Sequence, residues 1–186
     1  MLGFTFSSAP TIQAQLDYLM RKANRRFFLL LHYKRAGIGT ERLRDIYCAM
    51  TRSILEYSSN VYHSQINVGQ SNELEGIQKQ SLKVIYGFDL NYEELLEKSG
   101  LPMLKERRAK AFERFAFKTA KNEKYSHWFP LKDNIRQTRS TAVYKEEKAV
   151  GNRLFNSPIF AMRRILNNSS SNYSDQVDLT GIFNVP

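Results

Sequence analysis

Apolar residues recur every three or four positions along most of this chain, and a glycine, a proline or a capping side chain punctuates each run. That spacing closes into amphipathic helices rather than strands. Ile12, Leu16, Leu19, Ala23, Phe27 and Leu30 predict a helix over about residues 11–36, stopped by Gly37 and Gly39. Thr40 can cap a second helix over residues 41–62, with Leu43, Ile46, Tyr47, Met50, Ile54, Tyr57 and Val61 as its inner stripe. After the polar loop 67–70, Asn72 with Glu75 fits a capping box for a third helix. Leu74, Ile77, Ser81, Leu82 and Ile85 line its inner face, and Gly87 stops it. Asn91 with Glu94 repeats the capping pattern for a short helix ending at Gly100. Pro102 suits the first turn of a longer helix to about Asn122, carrying Leu104, Ala111, Phe112, Phe115 and Thr119 inward.

Outside these windows the pattern changes. Leu2 to Phe6 reads as a short strand, and Trp128, Phe129 and Pro130 as a packed loop. Residues 135–144 show no clear period; Ser157 and Pro158 open a short helix through Leu166. From Asn167 the chain is rich in Asn and Ser and reads as a tail. The expected fold is mainly α: an irregular helical bundle with a short N-terminal strand and a flexible C-terminal tail.

Charge narrows the partners. Lys and Arg number 28 against 18 Asp and Glu, a net +10, and such a surface attracts polyanions, chiefly nucleic acid or an anionic membrane. The longest apolar cluster, residues 27–31, is far short of a membrane span. Cys48 is the only cysteine, so neither an intramolecular disulfide nor a cysteine-rich metal site can form. It stands beside the apolar stripe and reads as an inert thiol. The first ten residues lack a signal-peptide pattern. An intracellular protein, in nucleus or cytoplasm, is expected, without a membrane partner.

A series of short motifs then acquires meaning from its order. Leu2-Gly3-Phe4 is followed by residues 22–26 (Lys-Ala-Asn-Arg-Arg), Tyr47, Arg52-Ser53, Leu55-Glu56-Tyr57 and His63-Ser64. Next come Leu74-Glu75, Gln78-Lys79, Leu82, Ile85-Tyr86-Gly87, Tyr92-Glu93-Glu94 and Gly100-Leu101-Pro102. Lys105-Glu106-Arg107-Arg108, His127-Trp128-Phe129-Pro130, Asn156-Ser157-Pro158 and Ile165-Leu166-Asn167 close it. This order resembles the C-terminal, thumb and post-thumb region of jockey-like non-LTR (LINE-type) retrotransposon reverse transcriptases. Tyr62 stands where that family usually has Trp, and Gly76 and Gln80 where it tends to have basic residues. The resemblance implies a remnant of the palm-closing strand at 1–9, a helical thumb-like domain at 10–123, a loop-rich post-thumb extension with a short helix at 124–167, and a tail at 168–186. A start just before that strand fits a truncated reading frame.

The parent's chemistry needs carboxylates that hold two Mg²⁺ ions, in this family as an aromatic-x-Asp-Asp turn. No Asp-Asp pair occurs here, so no catalytic residue, metal site or cofactor is expected, and the chain is not expected to be an enzyme by itself. None of His32, His63 and His127 begins a His-x-Asp/Glu pattern of the kind a non-heme iron site uses. His63 reads as a helix-end anchor. The basic residues remain as candidates. Arg21, Lys22, Arg25 and Arg26 cluster on the first helix; Arg107 and Arg108 open the late helix; Lys110, Arg114, Lys118 and Lys121 follow along one side of it. Any one of them reads first as a solvated charge. Together, rows of cations can track phosphates without reading sequence. Phe27, Phe28, Phe112, Phe115 and Phe117 could stack on bases, although most sit at core spacing. The implied partners are RNA or DNA bound independently of sequence (the primer–template duplex in the parent), and the palm or another protein. The rival expectation is a non-catalytic helical protein-interaction module derived from a mobile element.

Overall fold

A computed structural model describes residues 12–132, 142–146 and 151–173. The strand expected at Leu2 to Phe6 lies outside the described residues, as do residues 133–141 and 174–186. The fold is mainly α, and the chain divides into two compact units, Met1–Ala111 and Phe112–Pro186. The division falls inside a helix, whereas the sequence sets it after residue 123.

The first unit begins with α1 (Gln13–Arg35), which buries Leu16, Leu19, Ala23 and Leu30. It ends as the sequence predicts: Gly37 takes a left-handed φ of +80°. Its N–H donates to the Lys34 carbonyl at 3.1 Å and the Ile38 N–H to the Tyr33 carbonyl at 3.2 Å, which satisfies carbonyls left open by the last turn.

The second expected helix is broken. It forms as α2 (Thr40–Tyr47), a π-helical turn (Cys48–Arg52), α3 (Ser53–Glu56) and α4 (Ser59–Tyr62). The wide turn takes in an extra residue, and the buried set downstream moves by one position. Thr51, Leu55 and Tyr62 are buried, while Tyr57 and Val61 of the expected stripe are exposed. Ser58, at φ +55°, makes the break between α3 and α4, and the Tyr62 hydroxyl donates to the Leu55 carbonyl across it. Gly39, not Thr40, occupies the N-cap of α2.

Helix α5 (Val68–Tyr86) buries all five expected residues together with Gln78 and Val84. Its capping box is one turn earlier than expected, formed by Asn67 and Gln70. Glu75 is thereby released for other work. Helix α6 (Tyr92–Ser99) has the predicted Asn91–Glu94 box and a left-handed Gly100. Two apolar clusters fill the unit. One joins α1, α3, α4 and α5 through Leu16, Leu19, Leu55, Tyr62 and Leu74, with Leu104 from the start of the following long helix; the other joins α1, α2, α5 and α6 through Leu30, Leu43, Tyr47, Leu82 and Leu95.

Helix α7 (Leu104–Ala120) starts in the first unit and runs into the second. In the second unit Phe112, Ala116, Phe129, Ala161, Met162 and Leu166 pack together. A 3-10 turn (Glu123–Trp128) capped by Asn122 leads into the expected packed loop, whose Phe129 is buried. After α8 (Asn152–Phe155), α9 (Pro158–Tyr173) starts at the predicted proline but continues past the expected end of the helix. Its backbone stays helical through 168–173, where a flexible tail was expected. Asn167 explains part of this. Its side chain accepts from the Tyr144 N–H at 2.9 Å and donates to the Tyr144 carbonyl at 3.1 Å, instead of competing for its own backbone.

Candidate nucleic-acid interface

The α1 cluster arises from helix geometry. With Leu16, Leu19 and Ala23 facing inward, residues 21 and 25, four apart, must face away. Arg21 and Arg25 are exposed, and so is Lys22, whose Nζ sits 5.7 Å from the centre of the Tyr18 ring. Arg26, on the flank, is half-buried. Arg21 Nε donates to the Asp17 carbonyl at 3.2 Å, a bond at the exposed surface. Lys22 also lines a groove of about 420 Å³ with Tyr18, Leu19, Ser53, Ile54 and Tyr57. Arg21, Lys22 and Arg25 are thus exposed, whereas Arg26, turned well away from Arg21 around the helix, is half-buried.

Helix α7 divides its basic residues. Arg107 is already engaged: its Nε and Nη2 fork onto the Glu56 carboxylate, Nη2 to Oε2 at 3.0 Å. Arg52 approaches the same carboxylate, Nε to Oε1 at 3.8 Å. The hydrogen bonds that Arg107 donates to the Glu56 carboxylate raise its pKa above the ordinary value. Arg108 is only 1% exposed. Its Nη2 donates to Ser71 Oγ at 2.8 Å, and its Nε and Nη1 have no hydrogen-bond partner among the described residues. Burial lowers its pKa, with Tyr62 and Glu75 acting against that shift.

Arg108 thus cannot meet a phosphate from solution, which corrects its placement among the binding residues; Arg107 is tied to a carboxylate. Neither opens the helix, which begins at Leu104. A sequence signal for the burial existed. Leu104, Arg108 and Phe112 stand at i, i+4 and i+8, so Arg108 lies on the inner stripe. Lys110, Arg114 and Lys118 come next on one side of α7, with Lys121 in the turn just past its end, and all four are exposed.

The motifs that carry the resemblance act largely as fasteners. Glu75 accepts the Leu104 N–H at 3.0 Å and the Lys105 N–H at 3.1 Å, so a carboxylate on α5 caps the start of α7. The Tyr92 hydroxyl bonds the same carboxylate. Buried Gln78 accepts from the Tyr47 hydroxyl at 2.9 Å and donates to Tyr92 Oη and the Pro102 carbonyl, both at 3.1 Å. Burial raises the pKa of Tyr47 and Tyr92, and the Glu75 hydrogen bond adds to it for Tyr92. Sequence reasoning gave Glu75 a capping role on its own helix with Asn72, and gave Gln78 no structural role. The partners of both come from other elements, and no local spacing announces them.

The remaining candidates sit as follows. Cys48 is half-buried in the π-helical turn, with its pKa raised by burial. The His63 N–H donates to the Ser59 carbonyl at 2.8 Å at the end of α4. Burial first, then Arg108 and Lys105, holds the His63 pKa below its ordinary value. Gly76 is half-buried on α5 with open space where a Cβ would point, and Gln80 is exposed. Among the described residues, no three His, Cys, Asp or Glu side chains gather as a metal site, and no helix is long and apolar enough to cross a membrane. Comparison with protein-family models, with curated proteins and with solved structures gives no match.

Proposed function

We propose that this chain is a thumb and post-thumb fragment of a jockey-like non-LTR retrotransposon reverse transcriptase, and that it binds nucleic acid without sequence preference through basic helix faces. The observation that carries this reading is the outward display of Arg21, Lys22 and Arg25 on α1 and of Lys110, Arg114, Lys118 and Lys121 on α7 and the turn just past its end. Exposed guanidinium and ammonium groups at helical spacing suit a row of phosphates and carry no information about bases. With no Asp-Asp pair in the sequence, the chain has no candidate for the metal-holding carboxylates of polymerisation, and its part is to hold the strand. The fastening by Glu75, Gln78 and Glu56 supports the reading in a second way, because residues of the resembling motifs then have structural reasons to occur in that order.

A protein-interaction module has its own observation. Tyr57 and Val61 turn outward, at 44% and 41% exposed, and two apolar side chains so placed could meet a partner.

One titration separates the readings. Labelled RNA–DNA hybrid and single strands are added over a salt series. Electrostatic binding weakens steeply as salt rises. Absence of binding to either probe at low salt removes the nucleic-acid reading and leaves the interaction module. Nucleotide incorporation by the purified protein would overturn the non-catalytic assignment.

A further inference from the structure

We infer that the two basic faces take unpaired bases as well as phosphates, with Phe28 and Phe117 as the stacking platforms. The inference rests on the nucleic-acid reading and narrows it to single-stranded RNA or DNA.

Phe28 is 62% exposed although it lies on a helix whose other side supplies much of the core. Its helix neighbours are Arg25, three residues before, and His32, four residues after, both exposed. Arg21 and Arg35 lie seven residues to either side, on the same face and also exposed. A large apolar ring is thus set among the guanidinium groups of Arg21, Arg25 and Arg35, a poor surface for a purely apolar partner and a suitable one for a charged aromatic polymer. The ring is also braced. Phe27 and Phe28 pack edge-to-face, with ring centres 6.2 Å apart and planes at 65°, and Phe27 packs against the α1–α2–α5–α6 core cluster. A ring held by its neighbour loses less side-chain freedom when a base settles on it.

The pattern recurs in α7. Phe117, 38% exposed, has Arg114 three residues before it and Lys121 four residues after it, with Lys118 adjacent, and all three cations are exposed. An exposed Phe with an exposed Arg at i−3 therefore appears on both helices. In each case the phenyl ring offers a face to a base of any kind, while the flanking charges hold phosphates. A continuous duplex cannot use such a ring, because its bases are already stacked on one another.

The test uses the full chain and three probes: oligothymidylate, an abasic strand of the same length, and a DNA hairpin. Phe28→Ala and Phe117→Ala are each expected to weaken oligothymidylate binding about tenfold, while binding of the abasic strand and the hairpin changes less than about twofold. Phe28→Trp should retain the oligothymidylate affinity, and Phe28→Leu should not, which separates aromatic stacking from apolar contact. Circular dichroism checks that the variants, altered at exposed positions, remain helical. If the alanine variants leave oligothymidylate binding unchanged, or weaken all three probes alike, the stacking assignment is overturned while electrostatic binding stands. If the unaltered protein binds none of the probes at low salt, both readings fall together.

Discussion

The opening turns of α7 and the rest of that helix carry the same side-chain types and use them in opposite ways. Arg107 is clamped to Glu56 and Arg108 is enclosed beside Ser71, whereas Lys110, Arg114 and Lys118, and Lys121 just past the helix end, extend into solvent. Position around the helix sets the difference. Arg108 is in line with Leu104 and Phe112, so it follows them inward. Lys110, two residues on, is rotated by more than half a turn and faces out. A run of basic residues in a sequence is therefore not one patch. Part of it serves as internal tether and part as surface, and only the second part is free to meet a polyanion.

The comparison is broken most severely by removing the outer row. Changing Lys110, Arg114, Lys118 and Lys121 together to Ala should cost about a hundredfold in affinity and flatten the dependence of log K on log salt by about three units, near 0.7 for each phosphate no longer neutralised. Fluorescence anisotropy over a salt series measures both. Arg107→Ala should leave that slope nearly unchanged, and an equal flattening would mean that the tether in fact touches phosphate.

Next in size is the inner residue. Arg108→Ala removes a buried side chain and should lower stability by about 2 kcal/mol in urea unfolding. Affinity per folded molecule should stay constant. A loss of affinity without a loss of stability would place Arg108 at the surface.

The smallest effect sharpens the same contrast through pH. His63 lies near Arg108, and its folded pKa is below the ordinary 6.5. As pH falls through that ordinary value, the unfolded chain takes up the proton first. Stability present above about pH 6.5 is therefore lost on acidification. His63→Gln should remove that part of the pH dependence, and a profile identical to that of the unaltered protein would exclude the imidazole as its source.

Much of the helical layout was legible from residue spacing. The inner face of α5, the glycine stop of α1 and the capping box of α6 follow from local rules, because each concerns residues within one or two turns of one another. The second helix was misread for a physical reason. Its stripe assumes 3.6 residues per turn, and the π-helical turn at Cys48–Arg52 shifts the inward set from Ile54, Tyr57 and Val61 to Leu55 and Tyr62. A polar tail read from Asn and Ser became helix as far as Tyr173, with Asn167 anchored to Tyr144. For the candidate residues, Arg21, Lys22 and Arg25 and the outer row from Lys110 to Lys121 are exposed, while Arg26 is half-buried. Sequence reasoning misassigned Arg108, although the spacing to Leu104 and Phe112 was present, because charge outweighed periodicity.

From its residues alone this chain is committed to amphipathic helices of stated polarity and to an excess of positive charge, since both are properties of neighbours along the chain. Which cations remain at the surface was decided only in three dimensions. Glu56, Glu75 and Gln78 each find partners tens of residues away, and an arginine becomes an internal tether or stays at the surface according to whether another element closes over it.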